Sequence, residues 1–507
     1  MTRLVPRPPK SRRPPSLVDV RLDPAQREIV TRPPERALLV LGEAGHGKTT
    51  VALHRLAHIW RGSQGVLRAA VIVPTEGLAR LIQPLLRRLG VDVEALTYDR
   101  WARAQARRVF RDVSRETELT PPLVQRVKRH VALRVALAEL SLRPPGRVDD
   151  DMDAPRSRAR ARALAQRGDL QHLFGDRALL EAVARSSTAI GARAIEETLE
   201  HTRLQFGLTT ERQYADVADQ GRLIAIDGRA IDEGTATGNA GRVDVEDYAV
   251  LFELDRLRAA RAGRTARAPR PYDVLLLDEA QELAPLELVL IGRSLRPGGS
   301  LIVAGDMDQQ TDPTTTFSGW AEAMRDLGAT DYESVRLDIG YRCPPGVAAL
   351  ARAVLGEAEP ARREVTAPRT DVEPTCVAYD DERALVAELG ADIRLLHRHD
   401  RHASLSVLCR SPHTARRFAA RLQAEVPTRL VFDGHFLPRG PAQVTTVDEV
   451  KGLEFDFVVV PDATLADYPD TPAARRALYV AITRARHQVL LAHVGPPTPL
   501  VPPSDRG

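Results

Sequence analysis

Short runs of continuous apolar residues alternate with helical stretches near the start of the chain and again after residue 270. Four of these runs predict buried strands, at residues 37–41, 69–73, 274–277 and 300–304. Apolar residues at helical spacing follow the first two runs, at residues 49–60 and 76–89. Strands that are apolar throughout and separated by helices are typical of a parallel sheet covered on both faces. The pattern predicts a first α/β lobe made of residues 21–110 and 271–333.

The segment between these two parts, residues 111–270, has a different pattern. Its strand-like runs give way to stretches rich in Arg, Ala and Leu, such as residues 123–140 and 157–170. These stretches predict a mostly helical insertion, and the basic residues 259–270 return the chain to the sheet.

A second alternation of strands and helices begins near residue 337. Its apolar runs lie at residues 404–409, 444–447, 455–460 and 488–492, and helical candidates lie at 383–396, 413–422 and 473–484. The pattern predicts a second α/β lobe, residues 334–498, followed by a short tail at 499–507. Residues 356–374 read as a loop or linker.

The composition is typical of a globular protein and sets limits on its partners. Of the 507 residues 43% are hydrophobic, but no apolar run approaches the roughly 20 residues of a membrane span. Residues 1–20 are rich in Pro and Arg, which predicts a disordered basic tail rather than a secretory signal. The three cysteines form no CxxC pair, which fits a cytoplasmic protein. The net charge of +4 permits a polyanionic partner without requiring one.

A glycine-rich loop carries the first candidate chemistry, and it contains a rare residue. Only four of the 72 Lys and Arg residues are lysine, and Lys48 is one of them. The loop, GEAGHGKTT, supplies the candidate nucleotide-binding residues Gly42, Gly45, Gly47, Lys48, Thr49 and Thr50. Glycines let backbone N–H groups approach phosphates, and the following helix directs its positive end at the same point. We expect Lys48 to contact the β- and γ-phosphates of ATP and Thr49 to bind Mg²⁺.

Two adjacent carboxylates follow the predicted strand at residues 274–277. Asp278 is placed to hold the metal, and Glu279 is placed to orient or deprotonate an attacking water. Such a pair after a strand is common by itself, but together with the glycine loop it predicts an ATP-hydrolysing site.

The ordered series of motifs resembles superfamily 1 helicases of the UvrD/Rep type. The motifs, in order, are LDPAQ (22–26), GEAGHGKTT (42–50), VIVPTEGLA (71–79), DEAQ (278–281), GDMDQ (305–309), LDIGYRCP (337–344), VKGLEFD (450–456) and LYVAITRAR (478–486). The resemblance implies two RecA-like parallel-sheet lobes of the P-loop NTPase class, with a helical insertion in the first lobe. ATP would lie between the lobes, and the protein would move 3′→5′ along single-stranded DNA.

The same resemblance implies a role for individual residues. Gln26 would read the adenine edge, Tyr341 would stack on the adenine, and Glu454 would contact the ribose. Lys48, Asp278 and Glu279 would act as described above. Gln309 would couple the γ-phosphate to the DNA groove. Arg342 and Arg484 would be arginine fingers from the second lobe, which neutralise charge that develops during phosphoryl transfer.

Candidate contacts to nucleic acid follow from family positions. These are Thr75, the aromatic pair Tyr98 and Trp101, and the aromatic pair Phe317 and Trp320. Aromatic side chains can stack on bases, but they also pack in protein cores, and the sequence leaves both readings open.

Within the family the chain looks most like HelD and helicase IV, on the basis of TTVALHR (49–55) and GDMDQQTDPTTTFSGW (305–320). Asp448 stands where the family usually has a histidine. Only about 35 residues separate Cys409 from Thr445, so the large subdomain that Rep-type enzymes carry there is expected to be missing. Three functions therefore stay open: a DNA helicase or translocase, a HelD-like factor that remodels RNA polymerase, and the motor subunit of a repair or defence complex.

Overall fold

Two six-stranded parallel sheets form the framework of the protein. The computed structural model describes residues 4–5, 21–64, 66–110, 120–143, 155–187, 189–206, 242–340, 343–356 and 372–502, with side chains in the helix at 155–175 described from residue 163. The predicted Tyr341 and Arg342, and most of the predicted linker at 356–374, lie outside these residues. The predicted fold class of two RecA-like lobes is confirmed.

The first sheet has the strand order β3-β2-β4-β5-β1-β6, and neighbouring strands are parallel. Its strands are β1 (Ala37–Gly42), β2 (Ala69–Val73), β3 (Ala95–Thr97), β4 (Tyr272–Leu277), β5 (Leu295–Gly305) and β6 (Tyr332–Leu337). Its helices are α1 (Pro24–Thr31), α2 (Lys48–Gly62), α3 (Glu76–Arg88), α4 (Tyr98–Val109), α11 (Pro285–Gly292) and α12 (Trp320–Asp326). Because β6 pairs with β1 as far as Leu337, the first lobe extends past the predicted boundary at residue 333.

Alternate residues of these strands enter two hydrophobic cores, one on each face of the sheet. Leu38 and Val40 belong to the core beneath α2 and α3, while Leu39 belongs to the core beneath α4 and the insertion. This alternation is the expected result of a strand buried on both faces.

The insertion in the first lobe contains six helices within the described residues. They are α5 (Pro122–Arg129), α6 (Leu133–Leu140), α7 (Pro155–Gly175), α8 (Arg177–Arg185), α9 (Ala192–Phe206) and α10 (Glu246–Arg261). The predicted continuous helix at 123–140 is broken into α5 and α6. His130 has an extended backbone (ψ 138°), and its Nδ1 accepts a hydrogen bond from the N–H of Ala132 at 3.1 Å.

The second sheet has the order β7-β12-β11-β8-β10-β9, also parallel. Its strands are β7 (Thr375–Tyr379), β8 (Leu405–Cys409), β9 (Thr428–Leu430), β10 (Ala442–Thr446), β11 (Phe455–Val460) and β12 (Ala485–Val494). Its helices are α13 (Pro345–Leu355), α14 (Glu382–His399), α15 (Pro412–Leu422) and α16 (Pro472–Thr483). The chain between β9 and β10 is short, so this position carries no large subdomain.

Two residues of the predicted disordered tail pack against the second lobe. Leu4 is fully buried in its core, and the N–H of Val5 donates to Oε1 of Gln488 at 3.0 Å. The prediction of a disordered tail is therefore wrong at these two residues, because Leu4 enters the apolar core and Val5, whose side chain is 43% exposed, is held through its backbone.

Candidate ATP site between the lobes

The glycine loop joins β1 to α2 at the edge of the first sheet that faces the second lobe. Gly45 and Gly47 have φ values of 80° and 89°, in the left-handed region that a side chain makes unfavourable. Gly47 precedes the first residue of α2, so the N-terminus of a 15-residue helix points into the loop. Backbone N–H groups and the helix dipole together make this loop a phosphate-binding element.

Lys48 is buried and bonded to the loop that it closes. Its Nζ donates to the carbonyl oxygens of Gly42 at 2.8 Å and Glu43 at 3.0 Å, and it lies 3.8 Å from Oδ2 of Asp306. The ammonium is therefore held at the centre of the loop, where it can exchange these acceptors for phosphate oxygens.

The residues predicted to hold Mg²⁺ are in contact. Oγ1 of Thr49 donates to Oδ2 of Asp278 at 2.7 Å. Burial, together with the charge of Glu279, raises the pKa of Asp278 to about 7. A hydroxyl and a carboxylate oxygen are ligands that Mg²⁺ prefers, and a cation here would offset the cost of burying the charged Asp278. The donor set fits the metal, whose chemistry would be to neutralise phosphate charge. Thr50 is buried one residue further along α2.

Glu279 stands in a strained backbone conformation at the end of β4. Its φ of 53° and ψ of 44° are uncommon for a residue with a side chain, and such strain occurs often at functional sites. Nε2 of Gln281 donates to its Oε2 at 2.8 Å, which fixes the carboxylate. The carboxylate faces the same cavity as Lys48 and Thr49.

A chain of hydrogen bonds leads from Glu279 to the second lobe. Oε1 of Gln281 accepts from the N–H of Asp306 at 3.2 Å, and Oδ2 of Asp306 accepts from Nε2 of Gln309 at 2.8 Å. Oε1 of Gln309 then accepts from Nη2 of Arg484 at 2.6 Å. The predicted catalytic carboxylate and the predicted arginine finger are therefore joined through three residues, Gln281, Asp306 and Gln309.

Arg484 follows the last residue of α16 and is almost fully buried. Its Nε donates to the carbonyl of Val480 at 3.1 Å, which holds the guanidinium toward the first lobe. Glu454, the predicted ribose contact, lines the same cavity and lies 3.4 Å from Nε of Arg486. The cavity is lined from both lobes, by Ala44, Gly45, Gly47, Lys48, Thr49, Glu279, Gln309, Gly452, Glu454, Thr483 and Arg484.

Gln26, the predicted adenine contact, lies beside the glycine loop. It is held by reciprocal hydrogen bonds with Asp23 at the start of α1. A Cβ on Gly47 would lie 3.0 Å from Nε2 of Gln26, so the amide sits against the phosphate loop.

The residues predicted to contact nucleic acid differ in their exposure: one aromatic pair is buried and the other is half-buried. Trp101 is fully buried and Tyr98 is nearly so, both in the core beneath α4, so their rings offer no face for a base. Their prediction as stacking platforms is corrected to core packing. Phe317 and Trp320 are half-buried and pack edge to face, with ring centroids 4.7 Å apart. Thr75 caps α3, where its Oγ1 accepts from the N–H of Leu78 at 3.2 Å.

Three residues that contribute to the cleft were not assigned a role from the sequence. Gln281 orients Glu279, Glu282 bonds to Lys451 of the second lobe, and Arg129 reaches this region from the insertion. Glu282 directly follows the motif DEAQ (278–281), and Lys451 lies within the motif VKGLEFD (450–456). Arg129 is one arginine among many and carries no local signal.

A P-loop ATPase with its site between two RecA-like lobes is the class that this fold and geometry define. The family model described as an AAA domain matches residues 26–313, more than half of the chain, and the chain belongs to that family. A model described as the UvrD-like helicase C-terminal domain matches residues 441–492. Together the two matches support a superfamily 1 helicase of the UvrD/Rep type, a class that hydrolyses ATP and binds nucleic acid.

Among solved structures, the chain is similar to one described as the C-terminal domain of a possible DNA helicase from Lactobacillus plantarum WCFS1. The identity is 23%, the match covers 32% of this chain and 91% of that chain, and the TM-score is 0.27. A comparison with curated proteins found no match. Within the described residues, every helix is too short or too polar to cross a membrane.

Proposed function

We propose that the protein is an ATP-dependent 3′→5′ translocase or helicase acting on single-stranded DNA, with ATP hydrolysed between the two lobes in the presence of Mg²⁺. The observation that carries this proposal is the hydrogen bond from Arg484 to Gln309. It ties the second lobe to the network that orients Glu279, so the position of one lobe is linked to the chemistry of the other.

The residues divide the work by position. The glycine loop and Lys48 bind the phosphates, and Thr49 and Asp278 supply oxygen ligands for the metal. Glu279 accepts the proton of the attacking water. Arg484 offers positive charge where the transferring phosphoryl group becomes more negative. Closing and opening of the cleft once per ATP would advance the protein along the strand.

Contact with the strand is proposed for Phe317 and Trp320, since both rings are partly exposed and follow Gln309 in the chain. Thr75 is proposed to contact the backbone from the N-terminus of α3.

The test is ATPase activity measured with single-stranded DNA, duplex DNA, RNA and no polymer. Strong stimulation by single-stranded DNA is the expected result. Direction is then measured by displacement of streptavidin from biotin at either end of an oligonucleotide, and faster displacement from the 5′ end is expected for 3′→5′ movement. An ATPase rate that is the same with each of the three polymers as without polymer would contradict the proposal.

A second candidate is a HelD-like factor that uses the same motor to remodel RNA polymerase. The stretches at residues 49–55 and 305–320 favour it, as does the short connection between β9 and β10. Recovery of RNA polymerase with the tagged protein, together with no movement on single-stranded DNA, would favour this candidate over the first. Recovery of a nuclease instead would favour the motor subunit of a repair or defence complex.

A further inference from the structure

The guanidinium of Arg129, at the end of α5, links the helical insertion to the cleft, and its side chain is only 13% exposed. Its five N–H donors all have acceptors. Nε and Nη2 donate to the carboxylate of Glu287 at 2.9 and 3.1 Å, and Nη2 also donates to the carbonyl of Glu282 at 3.0 Å. Nη1 donates to Asp312 and Thr314. Arg129 therefore holds two loops of the first lobe, the one that follows Glu279 and the one that follows Gln309.

These two loops are bonded to each other and to the second lobe. The carboxylate of Glu282 accepts from the N–H groups of Thr311 and Asp312, at 3.0 and 3.1 Å. The same carboxylate accepts from Nζ of Lys451 in the second lobe, at 3.0 Å. Arg129 and Lys451 thus hold opposite ends of one residue, its carbonyl and its side chain.

Asp448 completes the contact between lobes. Its Oδ1 accepts from Oγ1 of Thr311 at 3.2 Å and lies 3.3 Å from Nζ of Lys451. A carboxylate at this position therefore binds the first lobe and the lysine. These two contacts give Asp448 a structural role at the position where the family usually has a histidine.

The residue before Arg129 anchors α5 within the insertion. Nζ of Lys128 lies 2.6 Å from carboxylate oxygens of both Asp244 and Asp247 and 3.3 Å from Oε1 of Gln205, and all four side chains are buried. Adjacent residues of one helix thus face in two directions, Lys128 into the insertion and Arg129 into the catalytic loops. A shift of the insertion would move α5 and, with it, the loops that Arg129 holds.

We propose that Arg129 is a positioning residue that couples the helical insertion to the contact between the two lobes at the ATP site through Glu282 and Lys451. The proposal rests on the proposed ATP hydrolysis at this cleft. Arg129 lies outside the set of residues that line the nucleotide cavity, so its effect falls on turnover rather than on nucleotide binding.

The test is steady-state ATPase activity of Arg129→Ala, Arg129→Lys and the matched control Arg134→Ala. Arg134 lies on the neighbouring helix α6, pairs with Asp326 and donates to the carbonyl of Pro285 at 3.4 Å. It therefore contacts α11 and α12 of the first lobe rather than Glu282 or Asp312. We expect Arg129→Ala to lower kcat by about 10- to 100-fold with KM for ATP within about threefold of wild type. Arg129→Lys should restore only part of the activity, because one ammonium cannot replace five donors in a planar fork. Arg134→Ala should resemble wild type.

A double-mutant cycle separates coupling from general damage. If Arg129 acts through Glu282, kcat of the Arg129→Ala, Lys451→Met double variant should lie within about threefold of the more damaged single variant. Losses that multiply, or an Arg129→Ala variant as active as Arg134→Ala, would overturn the proposal.

Folding is monitored by thermal unfolding, and assays are run well below the midpoint of each variant. If Arg129→Ala does not fold, Asp312→Asn provides a second test. This substitution removes the negative charge that accepts from Arg129 but keeps the shape of the side chain. We expect kcat to fall about fivefold at constant KM. An unchanged kcat in that variant counts against the proposal. A wild-type protein without ATPase activity would instead contradict the proposed function itself.

Discussion

Glu279 is the residue that we propose accepts the proton of the attacking water. Glu279→Gln keeps the shape of the side chain but removes its ability to accept a proton. We expect kcat to fall by roughly 10²- to 10⁴-fold, the usual contribution of a general base, while ATP still binds. Turnover and equilibrium binding of a fluorescent ATP analogue measure the two effects separately. Turnover like that of the wild type would remove Glu279 from this role.

Lys48→Ala should differ from Glu279→Gln in its effect on nucleotide binding. Lys48 lies in the phosphate loop, so its loss should weaken both nucleotide binding and turnover, about 10-fold or more in each. The pair of variants distinguishes a residue that binds phosphate from one that acts on water. Equal binding in wild type and Lys48→Ala would contradict the assignment.

At the scale of elements, the start of α10 contains a buried carboxyl group with an unusual proton affinity. Burial, reinforced by the charges of Asp244 and Asp99, raises the pKa of Glu246 to about 8. An unfolded chain would release this proton near its ordinary pKa, so the folded state binds more protons between about pH 4.5 and 8. Stability of the wild type should therefore fall as pH rises through that range.

Glu246→Gln removes this dependence. We expect the variant to be more stable than the wild type at pH 8, by on the order of 1–3 kcal/mol, with the gain shrinking toward pH 5. Denaturant unfolding at several pH values measures it. Glu139→Gln, at an exposed position on α6, is the control and should change little at any pH. The account would be contradicted if the difference in unfolding free energy between Glu246→Gln and the wild type were smaller at pH 8 than at pH 5.

Elements with strong local signals were predictable from the sequence. The predicted strands at 69–73 and 455–460 match β2 and β11, because their apolar runs are long and end at turn residues. Short edge strands such as β3 and β9 were missed, since three residues give too little pattern to recognise. The break between α5 and α6 was also missed, because it depends on a local contact of His130 rather than on a glycine or proline.

At the scale of the whole molecule, the sequence predicts the participants in the site better than their arrangement. Lys48, Thr49, Asp278 and Glu279 could be proposed from the sequence because a phosphate loop and an acidic strand end are local motifs. The contacts from Lys451 to Glu282 and from Arg129 to both loops join residues far apart in the chain, and only the folded structure brings them together. For Tyr98 and Trp101 the sequence prediction was wrong in the other direction. Their positions in the family suggested contact with bases, but both side chains are buried in the core.

The central claim is that both lobes build one hydrolytic site, and Arg484→Ala tests it most directly. Arg475→Ala is the matched control, since Arg475 lies on α16 but pairs with Asp470 within the second lobe. The measurement is single-turnover ATP hydrolysis with single-stranded DNA and with the protein in saturating excess over ATP. The account predicts that Arg484→Ala lowers the rate by about 10²-fold or more, while Arg475→Ala stays near wild type. Equal rates for both variants and the wild type would contradict it.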